Sequence, residues 1–278
     1  MGRAIVGDSE TEAYERDGVV CLRGVFSPHW VEVVARGIER NMGAPGPRGG
    51  SLTPADEPGA YFKDANVWSR IPEYVDYIHE SPAGQIVAAL MDSRTARLFI
   101  ETTFVKEPGT REVAPWHQDQ PYVCIDGRHC CSIWMPIDPV KKENGMAFVK
   151  GSHKWGKWYS PRNFFGKNDE RKFEESFEPA PDIDGRPDEF DVVSWDMEPG
   201  DCAVFHMLTL HTSRPNAAST RRRAFSTRWV GDDATYAVRK GMMSAPYPVP
   251  GFEHGDPFES DQFPRVWPRA RHAKPQPS

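Results

Sequence analysis

The segment WHQDQPY, residues 116–122, sets an imidazole, His117, and a carboxylate, Asp119, two positions apart. On an extended chain, side chains two apart project from the same face, so this pair can meet one ion. A second imidazole, His211, comes much later, at the end of an apolar run and just before the turn-forming Ser213-Arg214-Pro215-Asn216. Two histidines and one carboxylate on one side of a metal leave three positions open, the facial arrangement of non-haem Fe(II) oxygenases. An HxD pair alone is a weak signal, and a single histidine at a strand end is more often structural. Arg222 sharpens the reading. In RRAFSTRWV, 222–230, the inward set of a period-two alternation is Arg222, Ala224, Ser226 and Arg228. A buried guanidinium is costly unless it meets an anion, and its fork fits a carboxylate. The far carboxylate of 2-oxoglutarate is such an anion. A register slip of one residue would instead turn Arg221 and Arg223 inward.

The elements that must position these groups are mostly strands. Alternation predicts strands over 98–106, 130–137, 146–150, 202–206 and 222–230. The first third differs. A short helix over 9–17, with Ser9 as its cap, ends at Gly18, and a strand covers 19–22. Pro28 opens a second helix that runs to about Met42 and buries Val31, Val34 and Ile38. Residues 43–59 read as loop, and a third helix spans Ser81 to about Met91 with Ile86, Val87 and Leu90 inward. The stretch 155–195 is a long aromatic and charged insertion with the character of a lid. One domain is expected over 1–278: a helical buttress and entry loop over 1–95, a β core over 96–230, and a disordered tail over 269–278.

Pro (26) and Gly (23) make up about a sixth of the chain, which suits a loop-rich β protein. The formal charge is -6 with both signs interspersed, so no basic stripe exists to grip nucleic acid. No apolar run approaches the roughly 20 residues that cross a bilayer, and Met1 to Glu10 lacks the pattern of a secretion signal. The expectation is a cytoplasmic protein with a small-molecule substrate and no obligate protein partner. Five cysteines, Cys21, Cys124, Cys130, Cys131 and Cys202, are spaced irregularly and read as reduced core residues. For vicinal Cys130 and Cys131 the alternative is a strained bridge or a redox switch.

Taken in series, several segments resemble the phytanoyl-CoA dioxygenase family of Fe(II)- and 2-oxoglutarate-dependent oxygenases. They are DGVVCLRGVFS (17–27), FVKEPG (104–109), WHQDQPY, SIWMPID (132–138), ENGMAFVKGSHKWG (143–156), MEPGDCAVFH (197–206) and LHTSRPNAASTRRRAFSTRW (210–229). The resemblance implies a mainly β, double-stranded β-helix (a cupin-like jelly roll) with flanking N-terminal helices. It implies iron ligation by His117, Asp119 and His211, with O2 as oxidant. For 2-oxoglutarate it implies Arg222 as salt-bridge partner, with Gln118, Trp134, Ser213 and Lys106 close by. Core packing is the alternative for Trp134. Lys150 departs from the proline frequent before Gly-Ser-His in the family, and His153 reads as a turn residue. Asp119 stands where related halogenases have a small residue, which favours hydroxylation.

Substrate contacts are sought at Tyr122, Tyr61, Phe62, Trp155, Trp158, Arg228 and Trp229, with Lys157 or Arg214 for an acidic group. Two rivals are weighed. One is a cupin-like metal enzyme, dioxygenase or isomerase, without 2-oxoglutarate, which has no need of a buried Arg222. The other is a non-catalytic binding protein, whose usual sign is a degenerate triad.

Overall fold

The computed structural model describes residues 5–53, 59–161, 176–241, 246 and 248–269. Four helices lie in the first third. Helix α1 (Asp8–Asp17) is capped by Gly7 and closes at Gly18, whose φ of 73° is the left-handed turn that a glycine allows. Helix α2 (Pro28–Gly43) starts behind Ser27 with proline at its first position and buries Val33, Val34 and Ile38. Helix α4 (Ala83–Leu90) stands where the sequence predicts a helix from Ser81, and α3 (Pro72–Glu80), just before it, is a helix the sequence reading did not predict. Pro82 separates the two helices, because a proline disfavours helical backbone in the residue before it, and Ser81 is extended at φ -75° and ψ 171°.

The larger sheet has the order β1 (Val19–Leu22), β10 (Cys202–His206), β7 (Cys130–Pro136), β12 (Arg222–Val230), β4 (Ala96–Lys106), β3 (Tyr61–Ala65) and β2 (Gly50–Ser51). Strand β14 (Arg265–Trp267) also pairs with β4. The smaller sheet runs β5 (Ala114–His117), β11 (His211–Ser213), β8 (Met146–Val149), β9 (Val192–Val193), and a ribbon joins β6 (Ile125–Asp126) to β13 (Thr235–Tyr236). All of these pairings are antiparallel, and together they form a double-stranded β-helix.

Period-two alternation divides the larger sheet into two faces. Cys131, Ile133 and Met135 of β7, Val204 of β10, and Phe225 and Trp229 of β12 pack beneath the helices with Ile38, Tyr74 and Tyr77. Their neighbours Trp134, Phe205 and Ala224 face the interior between the sheets, against Phe148 of β8. A one-residue slip in β12 would exchange these sets, so burial of the odd positions locks Arg222, Ser226 and Arg228 inward.

Some expectations are revised, and others fall outside the described residues. The predicted loop 43–59 contains β2, while residues 54–58 lie outside the described residues. Of the predicted insertion, 162–175 also lies outside them, as does the predicted tail from 270; Arg269 is ordered, donating to the carbonyls of Glu80 and Ser81. The β core extends past residue 230: Tyr236, Phe252, Phe258 and Phe263 form an aromatic cluster that the Pro- and Gly-rich sequence there conceals. All five cysteines are free thiols, and Cys130 and Cys131 point into different clusters, as strand neighbours must. No helix among the described residues is long and apolar enough to cross a membrane.

One buried acid predicts a pH dependence. Glu101 of β4 lies fully buried on the helix side, where its Oε1 accepts the Val67 N–H at 2.6 Å. Burial pushes its carboxyl from the ordinary 4.5 up to about 8. The folded chain therefore keeps a proton between those values that the unfolded chain has lost, so the contribution is full below 4.5 and fades as pH rises through 8. Stability is expected to fall by roughly 3–5 kcal/mol across that window, at about 1.4 kcal/mol per unit. Glu101→Gln should flatten the slope in urea titrations at pH 5, 6.5 and 8; an unchanged slope assigns it elsewhere.

Candidate metal centre

His117 ends β5 and His211 begins β11, and the two are direct cross-strand partners. That pairing brings together imidazoles from distant segments, with ring centroids 4.1 Å apart. Each ring is oriented by a backbone carbonyl: Nδ1 lies 2.7 Å from the Pro115 oxygen in His117 and 2.9 Å from the Thr209 oxygen in His211. A donor at Nδ1 leaves the Nε2 lone pair for an ion. Phe148 and Phe205 pack beside His211 and restrict its ring further.

Asp119 arrives by a different route from the extended one the HxD spacing predicts. Strand β5 stops at His117, and Asp119 has helical backbone (φ -75°, ψ -39°) at the head of a single 3-10 turn over Gln120–Tyr122. Its N–H donates to the Met207 carbonyl at 2.8 Å, which anchors the turn to the segment leading into β11. The turn brings Oδ1 to 3.8 Å from Nε2 of both His117 and His211. The three donor atoms lie within 4.8 Å of one another, and all three residues are buried.

Protonation suits ligation. Burial, and then the neighbouring His211, pull His117 down to about 3; burial also lowers His211. Burial works to raise the Asp119 carboxyl, but the charge and hydrogen bonds of Arg228, with His211, outweigh it and hold it well below the usual carboxylate range. At neutral pH the set is two neutral imidazoles and one carboxylate, the donor combination that suits ferrous iron with open positions.

The triad opens into a cavity of about 310 Å³ whose walls come from both sheets. Arg222 lies in that wall with 5% of its surface exposed. Its guanidinium donates to the Ser213 hydroxyl at 3.1 Å, to the Arg214 carbonyl at 3.2 Å and to the Asn144 carbonyl. All three acceptors are neutral. Among the described residues no carboxylate pairs with Arg222, and burial lowers its pKa to about 10, which leaves it charged at neutral pH.

The phytanoyl-CoA dioxygenase (PhyH) family profile matches residues 14–224, which include His117, Asp119, His211 and Arg222. The chain belongs to the phytanoyl-CoA dioxygenase family. A phytanoyl-CoA dioxygenase of Arabidopsis thaliana is 27% identical over 64% of this chain, and the match spans 60% of that protein's length. The 1-deoxypentalenic acid 11-beta-hydroxylase of Streptomyces arenae is also 27% identical, over 74% of this chain and 73% of its own. Among solved structures, the non-haem α-ketoglutarate-dependent carbocyclase SnoK of nogalamycin biosynthesis superposes with a TM-score of 0.74 at 20% identity, covering 94% of this chain and 96% of its own. The epimerase SnoN, solved with Fe3+, α-ketoglutarate and nogalamycin RO, gives 0.72 at 19%, covering 93% and 98%. At these identities the two structures bear on the fold.

Within this phytanoyl-CoA dioxygenase fold the predicted site residues separate into two groups. Trp134, Ser213, Arg222, Tyr61, Tyr122 and Arg228 line the cavity. The others do not. Gln118 faces the loops: its amide donates to the carbonyls of Lys157 and Leu208 and its oxygen accepts the Tyr159 N–H. Lys106 directs Nζ to the carbonyls of Glu112 and Arg214, 4.7 Å from the Tyr61 ring centre, and burial lowers it to about 6. Phe62 and Trp229 occupy the wrong phase of their strands and pack in the helix-side core. Trp155 packs on Phe190 at the surface, and Trp158 stacks on Phe177 beneath Arg239. Lys157 pairs with Glu178. His153 meets the Glu15 carbonyl, apart from the triad. Arg228 lines the cavity but grips Asp119, with Nε to Oδ2 and a terminal nitrogen to Oδ1, each at 3.0 Å.

Sequence reasoning missed Ser132, whose hydroxyl donates to Asp119 Oδ2 at 2.8 Å, and the cavity residues Arg48, Lys63 and Thr102. Ser132 had a signal, since it shares the phase of Trp134 in β7. Arg48 precedes β2 in a segment without periodicity and had none.

Proposed function

We propose that the chain is an Fe(II)- and 2-oxoglutarate-dependent dioxygenase that hydroxylates, or otherwise oxidises, a small organic substrate and releases succinate and CO2. The observation that carries this reading is a facial His-Asp-His set sharing one cavity with a buried, charged guanidinium whose partners are all neutral. A metal enzyme without 2-oxoglutarate has no use for that guanidinium.

His117, Asp119 and His211 would hold the iron, and Arg222 with Ser213 would hold the distal carboxylate of 2-oxoglutarate. When bound, iron and 2-oxoglutarate supply the activation of O2. The chain supplies geometry. The carbonyls behind each histidine fix both rings, and Trp134, Ala224, Tyr122, Val123, Leu52 and Val113 give the cavity apolar lining that helps exclude water once substrate is in place. No side chain is needed as a general base. Asp119 fills the position that a halide would need, which favours hydroxylation over halogenation. The apolar lining fits a partly apolar substrate, and Arg48 and Lys63 in the same wall offer cationic contacts.

The test is succinate formation by iron-loaded protein in air with 2-oxoglutarate, first alone and then against a metabolite panel that includes 1-deoxypentalenic acid. Slow iron-dependent succinate without substrate, stimulated by a member of the panel, is the expected result. Failure of iron-loaded protein to bind or consume 2-oxoglutarate would reject the reading in favour of a binding protein or another metal enzyme.

A further inference from the structure

Arg228 is spent on the metal ligand itself. It emerges from β12 directly opposite Ser132 of β7; Arg228 lines the cavity, and the Ser132 hydroxyl reaches the same carboxylate. Between them they take up Asp119. Oδ2 receives the Ser132 hydroxyl at 2.8 Å and Arg228 Nε at 3.0 Å, which uses the lone-pair directions of that oxygen. Oδ1 receives one terminal guanidinium nitrogen at 3.0 Å and is the oxygen 3.8 Å from both histidine Nε2 atoms. The remaining terminal nitrogen donates to the Thr102 hydroxyl of β4 at 3.1 Å, so the guanidinium is pinned on a third strand. Asp119 sits in a turn rather than a strand, and these bonds tie it to the opposite sheet.

We infer that Arg228 and Ser132 are positioning residues that hold Asp119 as a one-oxygen ligand and so preserve three open positions on the metal. The inference rests on the dioxygenase reading above. A carboxylate free to rotate would offer both oxygens to a divalent cation and fill a position that 2-oxoglutarate and O2 need between them. Charge alone does not do this: a lysine would neutralise Asp119 equally, but a single ammonium cannot grip two oxygens in fixed directions.

Co(II) provides a probe independent of turnover, because its visible d–d bands change in position and intensity with coordination number. Wild type, Arg228→Lys, Arg228→Gln and Ser132→Ala are titrated anaerobically with Co(II) alone, after thermal melts establish which are folded. Both Arg228 variants are expected to bind Co(II) about 10- to 100-fold more weakly, the usual cost of losing a partner behind a ligand. Their spectra should shift towards higher coordination number. Lysine at 228 with wild-type affinity and spectrum would overturn the inference, since charge would then suffice; so would a wild-type glutamine variant. Should neither Arg228 variant fold, Ser132→Ala keeps the ion pair and should still show the spectral change, and an unaltered spectrum overturns the inference. Wild-type protein that takes up no Co(II) sinks the dioxygenase reading instead.

Discussion

Alanine at position 222 is expected to weaken 2-oxoglutarate binding to the Mn(II)-loaded protein by roughly two to three orders of magnitude, from the 2–5 kcal/mol that truncating one partner of a buried charge pair costs. The guanidinium is 5% exposed and its partners in the free protein are a hydroxyl and two carbonyls. Those bonds orient it without cancelling its charge, so its electrostatic counterpart arrives with the ligand. Stability should move little or rise in this variant, because the substitution removes a desolvated charge that burial already disfavours. Loss of affinity without a lowered melting temperature is therefore the signature, read by anaerobic calorimetry beside a thermal melt. Arg222→Lys keeps the charge without the fork and should fall between the two. Affinity equal to wild type in the alanine variant would point to a metal enzyme that does not use 2-oxoglutarate.

The second large effect is at Asp119. Asp119→Ala is expected to lose tightly bound iron and to reduce 2-oxoglutarate turnover to background, because two imidazoles remain from a three-ligand set. Here stability should fall as well. The Arg228 side chain, 17% exposed, would lose its counter-ion, and an uncompensated buried charge costs about 3–5 kcal/mol. The double substitution Asp119→Ala with Arg228→Met should recover most of that stability and none of the metal binding, which separates folding from ligation. Metal analysis after dialysis and urea titration of the wild type and both variants provide the check. Wild-type iron retention in Asp119→Ala would remove this residue from the ligand set.

Parts of the site were legible from residue types and local spacing. The alternation in 222–230 predicted that Arg222 and Arg228 share an inward face, and burial of Phe225 and Trp229 on the opposite face is why that phase holds. The same logic applied to β3 would have excluded Phe62, since Tyr61 and Lys63 line the cavity and a strand cannot send Phe62 there too. The expectation for Asp119 had the wrong local geometry: the HxD spacing fits a strand, and the chain instead turns after His117, which still brings Asp119 beside both histidines. Gln118 was misplaced for a simpler reason: alternation already points it away from the face of His117, and its amide meets the carbonyls of Lys157 and Leu208.

What the sequence determined alone is therefore local: donor types two apart and the face each strand residue takes, both set by backbone geometry within a few residues. Tertiary structure decided the partners. The match of His117 with His211 and the capture of Asp119 by Arg228 and Ser132 depend on which distant strands pair and in what register. That register is fixed by burying both faces of a closed two-sheet structure at once, a condition that no short window of sequence contains.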